Sequence, residues 1–295
     1  MKKQAFLFII IAASLIMFSL GTFHSSIPAV ADSRSSVRLP VLLYHSICEN
    51  ESDESQYTVS AARFESDLKW LKDHGFTSVS AGQLIEYVQN GAPLPSRPVL
   101  ITFDDGYMNN YTLAFPLLQK YHMKAIISVI GSKCDESSED LYPDQATSGL
   151  NWGQVALMSS SGLAEIGNHT YDLHKISGSR KGADRLPGES YEDYATLLTA
   201  DLSLAQQKID SACSSEPSAL DETSIHCGAQ PMIFAWPYGA YPSDGSADQI
   251  LRELGFKITL TSYQKVNTIY QGDPDSLFGL KRLLRHPGFD MEDII

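Results

Sequence analysis

The chain has 295 residues, 43% of them hydrophobic, with 35 acidic against 22 basic side chains for a net charge of −13. That balance, with no Lys/Arg cluster, excludes a protein that tracks nucleic-acid phosphates, which needs a basic stripe. The length is ample for one large α/β domain with its own core, and no internal repeat or low-complexity tract divides it.

In chain order, Met1-Lys2-Lys3 and the apolar run from Phe6 to Leu20 form a signal-peptide pattern, with Ala29-Val30-Ala31 as the small-residue cleavage site. The run is short for a membrane span, but the stretch from Ala5 to Thr22 is continuous enough to make an uncleaved anchor the alternative. Residues 1–31 are therefore expected to be a signal peptide, 32–38 a polar linker and 39–295 one domain. The protein is expected to be secreted or attached to the cell surface, to act as a monomer, and to meet a membrane only if the leader is retained.

Leu39 to His45 reads as a buried strand. Ser60 caps a helix through His74, whose Phe64, Leu68 and Leu71 share a face, and Gly75 ends it. A strand at Phe76–Val79, a helix around Leu84–Val88 and a strand at Val99–Phe103 follow. Next come a helix near Asn110–Tyr121, a strand at Ala125–Ile130, a short helix after Asn151 and a strand at Leu163–Ile166. A helix over Tyr191–Ala212 carries an apolar stripe of Leu197, Leu198, Leu202, Ala205 and Ile209. Strand Met232–Ala235, helix Ala247–Leu254, strand Phe256–Leu260 and a final strand near Leu280–Leu284 complete the series. Strands alternating with helices predict a parallel sheet covered on both faces. Three polar insertions, 131–150, 177–190 and 211–230, are long for connections and suit the walls of a substrate groove.

Two of the strands end in chemistry. Pro98-Val99-Leu100-Ile101-Thr102-Phe103 leads into Asp104-Asp105-Gly106, and Leu163-Ala164-Glu165-Ile166-Gly167 leads through Asn168 to His169, with His174 five residues on. The ends of parallel strands deliver side chains to the functional face of an α/β fold. Two imidazoles and one carboxylate suit Zn²⁺ or a similar divalent ion with an open position, and the neighbouring carboxylate is then free to act as a base. Residues five apart diverge by about 140° on a helix, so His169 and His174 cannot share an ion from a helix face. They require a curved loop, for which Gly167 and Asn168 are suitable. His45 ends the first strand on the same face and is a further candidate for the site.

With these residues the chain resembles the polysaccharide deacetylases of the NodB-homology type (carbohydrate esterase family 4). The resemblance rests on Thr102-Phe103-Asp104-Asp105, the histidine pair, the opening Pro40-Val41-Leu42-Leu43-Tyr44-His45-Ser46-Ile47 and the later Phe234-Ala235-Trp236-Pro237-Tyr238-Gly239. It runs from about Leu39 to Leu284. The five-residue histidine spacing, where the family normally has four, is similar to the branch that deacetylates poly-β-1,6-N-acetylglucosamine in biofilm matrices. The resemblance implies a distorted (β/α) barrel of seven strands, with the site at the strands' C-terminal ends. It implies Asp105, His169 and His174 as metal ligands and Asp104 as general base. The ion would be Zn²⁺, with Co²⁺ or Ni²⁺ as alternatives. The Pro237-Tyr238 element would supply an oxyanion donor, and Trp236 and Tyr238 would line the sugar pocket. His286, in Leu283-Leu284-Arg285-His286, would be the general acid. The implied partner is an acetylated glycan. The family's Arg two residues before that Pro is Ala235 here, and Arg282 or Arg285 is the candidate replacement. Peptidoglycan or chitin deacetylation, O-acetyl esterase action on xylan, and non-catalytic carbohydrate binding are the competing readings.

The remaining histidines and the cysteines read as structural. His74 and His122 fall at helix C-termini, where they suit the dipole, and His226 lies in a polar loop. Four cysteines in an exported chain allow two disulfides, Cys213–Cys227 across a polar loop and, by elimination, Cys48–Cys134. Without a Cys-x-x-Cys spacing they are not expected to bind metal.

Overall fold

The computed structural model describes residues 35–214, 231–242 and 245–295. The expected signal segment 1–31, His226 and the Cys213–Cys227 bridge, through Cys227, lie outside the described residues. Seven strands form one parallel sheet: β1 (Val41–Tyr44), β2 (Pro98–Phe103), β3 (Ala125–Val129), β4 (Ala164–Asn168), β5 (Ile233–Ala235), β6 (Ile258–Leu260) and β7 (Leu283–Leu284). Their spatial order is β6-β5-β4-β3-β2-β1-β7, and the short strand Thr77–Ser78 also pairs with β2. A parallel bridge joins Leu260 to Leu280, with hydrogen bonds from Thr261 N–H to Leu280 O and from Leu280 N–H to Thr259 O, both 2.8 Å. The two ends of the sheet therefore meet, and the fold is the expected distorted seven-stranded barrel.

Helices cover the outside: α1 (Ala61–Asp73), α2 (Ala81–Asn90), α3 (Phe115–Tyr121), α4 (Gly131–Glu139), α5 (Trp152–Ser160), α6 (Tyr191–Ser214) and α7 (Ser246–Glu253). Side chains alternate along each strand with period two. Val41, Leu100, Ile126, Ile233 and Ile258 join one cluster inside the barrel. Leu42, Tyr44, Ile101, Phe103, Ile127 and Ile166 face outward and pack on Phe64, Leu68 and Leu71 of α1 and their neighbours. Phe234 and Trp236 pack on Tyr194, Leu198 and Leu202 of α6. This parity decides which residues reach the site.

Caps appear where the sequence signals them. Ser60 accepts from Arg63 N–H at 3.1 Å, and Asn151 forms a capping box with Gln154. Inside the barrel wall, Glu165 of β4 accepts from Ala81 and Gly82 N–H groups and so caps α2 from another element. A buried pair ties the end of the chain to α1: Arg285 donates to both oxygens of Asp67 at 2.7 and 2.8 Å, and Tyr44 OH donates to the same carboxylate at 3.0 Å.

Four expectations need correction. Residues 36–38, read as linker, belong to a strand (Ser36–Leu39) that pairs antiparallel with Asn267–Tyr270, a contact between distant parts of the chain. The helix expected over 110–121 begins as a π-helical turn, Asn110–Ala114, before α3. The insertion 131–150 contains α4, which has no apolar stripe because only Gly131, Cys134 and Ser137 are buried. Cys48 and Cys134 are unbonded thiols: Cys48 Sγ donates to Asn50 O, while Cys134 is buried in the core. Burial pushes the Cys134 thiol up to about 12.

Candidate active site

The site sits at the C-terminal ends of the strands. Among the described residues only four non-glycine residues have positive φ, and three are here: Asp105 (69°), Thr170 (74°) and Tyr238 (57°). Each such conformation costs of order 1–3 kcal/mol and persists only where the surroundings enforce it. Gly106 is obligatory for this turn. Its φ is 60°, and a Cβ there would lie 2.9 Å from Val129 Cγ1. Asp104 keeps the inward parity of Leu100 and Thr102, and the left-handed turn at Asp105 brings the second carboxylate to the same cavity.

Asp105, His169 and His174 form a three-ligand cluster, with one potential ligand atom from each lying within 4.8 Å of the others. The Nε2 atoms of His169 and His174 are 3.4 and 3.3 Å from Asp105 Oδ1. Tetrahedral ligands about 2.0–2.1 Å from a zinc ion are about 3.3–3.4 Å apart, so the donor set fits such an ion. His169 Nδ1 lies 2.8 Å from Ala235 O. A proton on Nδ1 donated to that carbonyl leaves Nε2 as the free ligand, the usual arrangement of an oriented metal-binding imidazole. Burial and the nearby His169 push His174 down to about 4, so it is neutral and ready to ligate. Burial opposes ionisation of Asp105, but His169, His45 and His174 outweigh it and hold the carboxyl well below its usual range.

Asp104 is held by Arg282. The guanidinium donates to Oδ1 at 2.7 Å and Oδ2 at 2.6 Å, and its Nε donates to Thr261 O at 2.7 Å. Arg282 is 1% exposed, so the guanidinium of this bidentate pair is shielded from solvent. Burial alone would raise the Asp104 pKa; the Arg282 guanidinium is the foremost of the influences that reverse this and lower it. Of the two arginines anticipated as substitutes for the absent family Arg, Arg282 pairs with Asp104 and Arg285 with Asp67. Ala235 contributes its carbonyl to His169 instead of a cation.

The five-residue histidine spacing is accommodated by a loop. Thr170 N–H donates to Asn168 Oδ1 at 2.9 Å, and Asn168 Nδ2 anchors to Leu202 O at 3.0 Å. The N–H groups of Gly131 and Ser132, opening α4, donate to Thr170 O and Tyr171 O. The His174 ring lies 4.7 Å from that of His169 and 4.5 Å from that of Tyr238.

The cluster opens into a cavity of about 430 Å³ lined by both carboxylates, both histidines of the cluster, His45 and Tyr238. His45 Nδ1 is buried without a hydrogen-bond partner. Burial lowers the His45 pKa while Asp104 and Asp105 favour its charged form. Trp236 and Pro237 are not in this lining. Trp236 has the outward parity of Phe234 and is fully buried against Phe234 and Tyr241, so it is core and does not line the pocket. His286 is also outside the lining: Leu284 is the last residue of β7 on the cavity, and the His286 ring turns back to accept Gly288 N–H and face Phe289.

Sequence reasoning missed Gln56, Tyr57, Tyr107, Lys181, Ser262 and Gln264, all of which line the cavity. Tyr107, two residues after Asp105, is pushed up to about 12 by burial and by Asp105. The available signal was position, since each missed residue lies in a segment following a strand's C-terminal end.

The polysaccharide deacetylase family profile matches residues 91–259, more than half of the chain. The chain belongs to the polysaccharide deacetylase family. A poly-β-1,6-N-acetyl-D-glucosamine N-deacetylase of Escherichia coli K12 is 27% identical over 227 residues, covering 74% of this chain and 33% of that protein. A protein of the same name from Staphylococcus aureus MSSA476 is 28% identical over 201 residues, covering 61% of this chain and 67% of that one. The chain thus spans about a third of the length of its E. coli relative. A solved de-N-acetylase from Aggregatibacter actinomycetemcomitans matches with a TM-score of 0.69 at 28% identity, over 88% of this chain and 100% of that one. IcaB from Ammonifex degensii matches with a TM-score of 0.65 at 29% identity, over 85% and 92%. Within the polysaccharide deacetylase fold, this chain combines the paired aspartates with an arginine supplied just before β7.

Proposed function

We propose that the protein is an exported, metal-dependent N-deacetylase of a GlcNAc-containing polysaccharide, with poly-β-1,6-N-acetylglucosamine as its substrate. The observation that carries this reading is one cavity holding the Asp105–His169–His174 donor set beside an Asp104 carboxylate kept ionised by Arg282. The signal-peptide pattern supports export. The names of the E. coli and S. aureus relatives and the histidine spacing support the β-1,6 polymer. Arg282 also answers the departure at Ala235 that would favour a non-catalytic carbohydrate binder.

A divalent ion held by Asp105, His169 and His174 would supply Lewis-acid charge to the acetamide carbonyl and to a water. Asp104 takes the attacking water's proton, and Arg282 fixes the plane of its carboxylate. The backbone N–H at Tyr238, turned by its left-handed conformation, is the candidate donor to the oxyanion. His45 delivers a proton to the leaving nitrogen. It lines the cavity where His286 does not, and its buried Nδ1 has no hydrogen-bond partner within the protein. Acetate and a glucosamine amine leave.

The test is acetate release from β-1,6-linked GlcNAc oligomers, chitin oligomers and peptidoglycan fragments by the protein and its His45→Gln and His286→Gln variants. The β-1,6 substrate is expected to react fastest. His45→Gln should lose on the order of 10²–10⁴-fold while His286→Gln stays near wild type. Preference for chitin or peptidoglycan would overturn the substrate assignment, and the reverse ranking of the histidine variants would overturn the acid.

A further inference from the structure

We infer that Asp201, on α6, is a positioning residue for the metal centre, setting the spacing of His169 and His174 through the backbone between them. Its Oδ1 accepts from Tyr171 N–H at 2.8 Å and its Oδ2 from Asp172 N–H at 2.9 Å. Both bonds fall in the stretch separating the two ligand histidines, and they come from a helix distant in sequence. The inference rests on the metal-site reading above.

The physical need is clear from the loop. Residues five apart cannot face one ion from a helix, and Thr170 must adopt a left-handed φ of 74°. A carboxylate receiving two successive N–H groups makes charge-assisted bonds and fixes two peptide planes at once. The other holds act at different points: Asn168 takes Thr170 N–H, the start of α4 donates to Thr170 O and Tyr171 O, and Asp135 accepts from Tyr171 OH at 2.9 Å. Asp201 alone fixes the N–H groups of Tyr171 and Asp172, on the approach to His174. The Asp172 N–H lies at an exposed position, so water can replace the carboxylate there. Removing Asp201 therefore frees the ligand spacing more than it unfolds the barrel.

The experiment measures the Zn²⁺ dissociation constant of the full chain by competition with a chromophoric chelator, for wild type, Asp201→Ala and Asp201→Asn. It also records the visible Co²⁺ absorption of each protein and the melting temperature of each metal-free form. Asp201→Ala should weaken Zn²⁺ binding by about 10–100-fold and change the Co²⁺ spectrum. Asp201→Asn, which keeps one acceptor oxygen, should fall between it and wild type. Asp67→Asn, which breaks a buried pair remote from the loop, should lower the melting temperature and leave Zn²⁺ affinity unchanged. Unaltered affinity and spectrum in the Asp201 variants would overturn the inference while leaving the metal centre standing. If Asp201→Ala does not fold, Asp201→Asn decides by the same readouts. Wild type failing to bind one equivalent of metal would overturn the metal reading and this inference with it.

Discussion

The two adjacent aspartates differ because the backbone turns between them. Asp104 continues the inward face of β2 and meets Arg282, whereas Asp105, in a left-handed conformation, is turned toward the histidines. The division of labour proposed for them predicts that Asp104→Asn abolishes turnover while a chelator competition still finds full metal affinity; loss of metal from that variant would contradict it. Arg282→Gln tests the other half of the pair. Arg282 lowers the Asp104 pKa against the opposing effect of burial, so its removal leaves burial dominant and the pKa rises. The base is then ionised only at higher pH, and the acidic limb of kcat/KM should move upward in a pH–rate profile. Leaving a buried carboxylate unpaired should also cost about 3–5 kcal/mol in a denaturant titration. The paired aspartates and the two histidines that cluster with them were legible as site candidates in the sequence because each follows an apolar strand. Trp236 was misread because the strand's parity, visible only once Phe234 and Ala235 are assigned to opposite faces, sends it outward into the core.

At the scale of elements, α1 was legible because the Ser60 cap coincides with the apolar face of Phe64, Leu68 and Leu71. The strand Ser36–Leu39 was not, because its partner Asn267–Tyr270 lies at the other end of the domain and a polar run gives no local sign of pairing. The segment entering α1 shows how such irregular stretches are held. Glu54 accepts from Ser60 N–H and takes two bonds from Arg63, all at 2.8 Å, closing the loop that carries Gln56 and Tyr57 to the cavity. The Arg63 contact leads in lowering the Glu54 pKa from its usual 4.5 to about 2. A carboxyl with a lowered folded pKa contributes stability that is present above the unfolded value and lost as pH falls through the folded one. Glu54→Gln should therefore be less stable than wild type at pH 6, with the difference shrinking from about pH 4.5 and vanishing near pH 2. Thermal melts across that range check it, and a constant difference would mean the pair contributes nothing through ionisation.

At the scale of the whole molecule, a covered parallel sheet was legible from the alternation of strands and helices, and the barrel only through the family resemblance. Its closure was not, because it depends on the bridge between Leu260 and Leu280, residues with no local sign of pairing. That closure gathers the proposed catalytic set from distant parts of one chain: the aspartates after β2, the histidines after β4, and Arg282 before β7. The central claim is that this set is a hydrolytic metal centre. The most direct measurement is acetate release from poly-β-1,6-N-acetylglucosamine oligomers by the purified protein, before chelation, after chelation, and after return of Zn²⁺ or Co²⁺. The account predicts release that chelation abolishes and metal restores; release indifferent to chelation, or none from folded, metal-loaded protein, would contradict it.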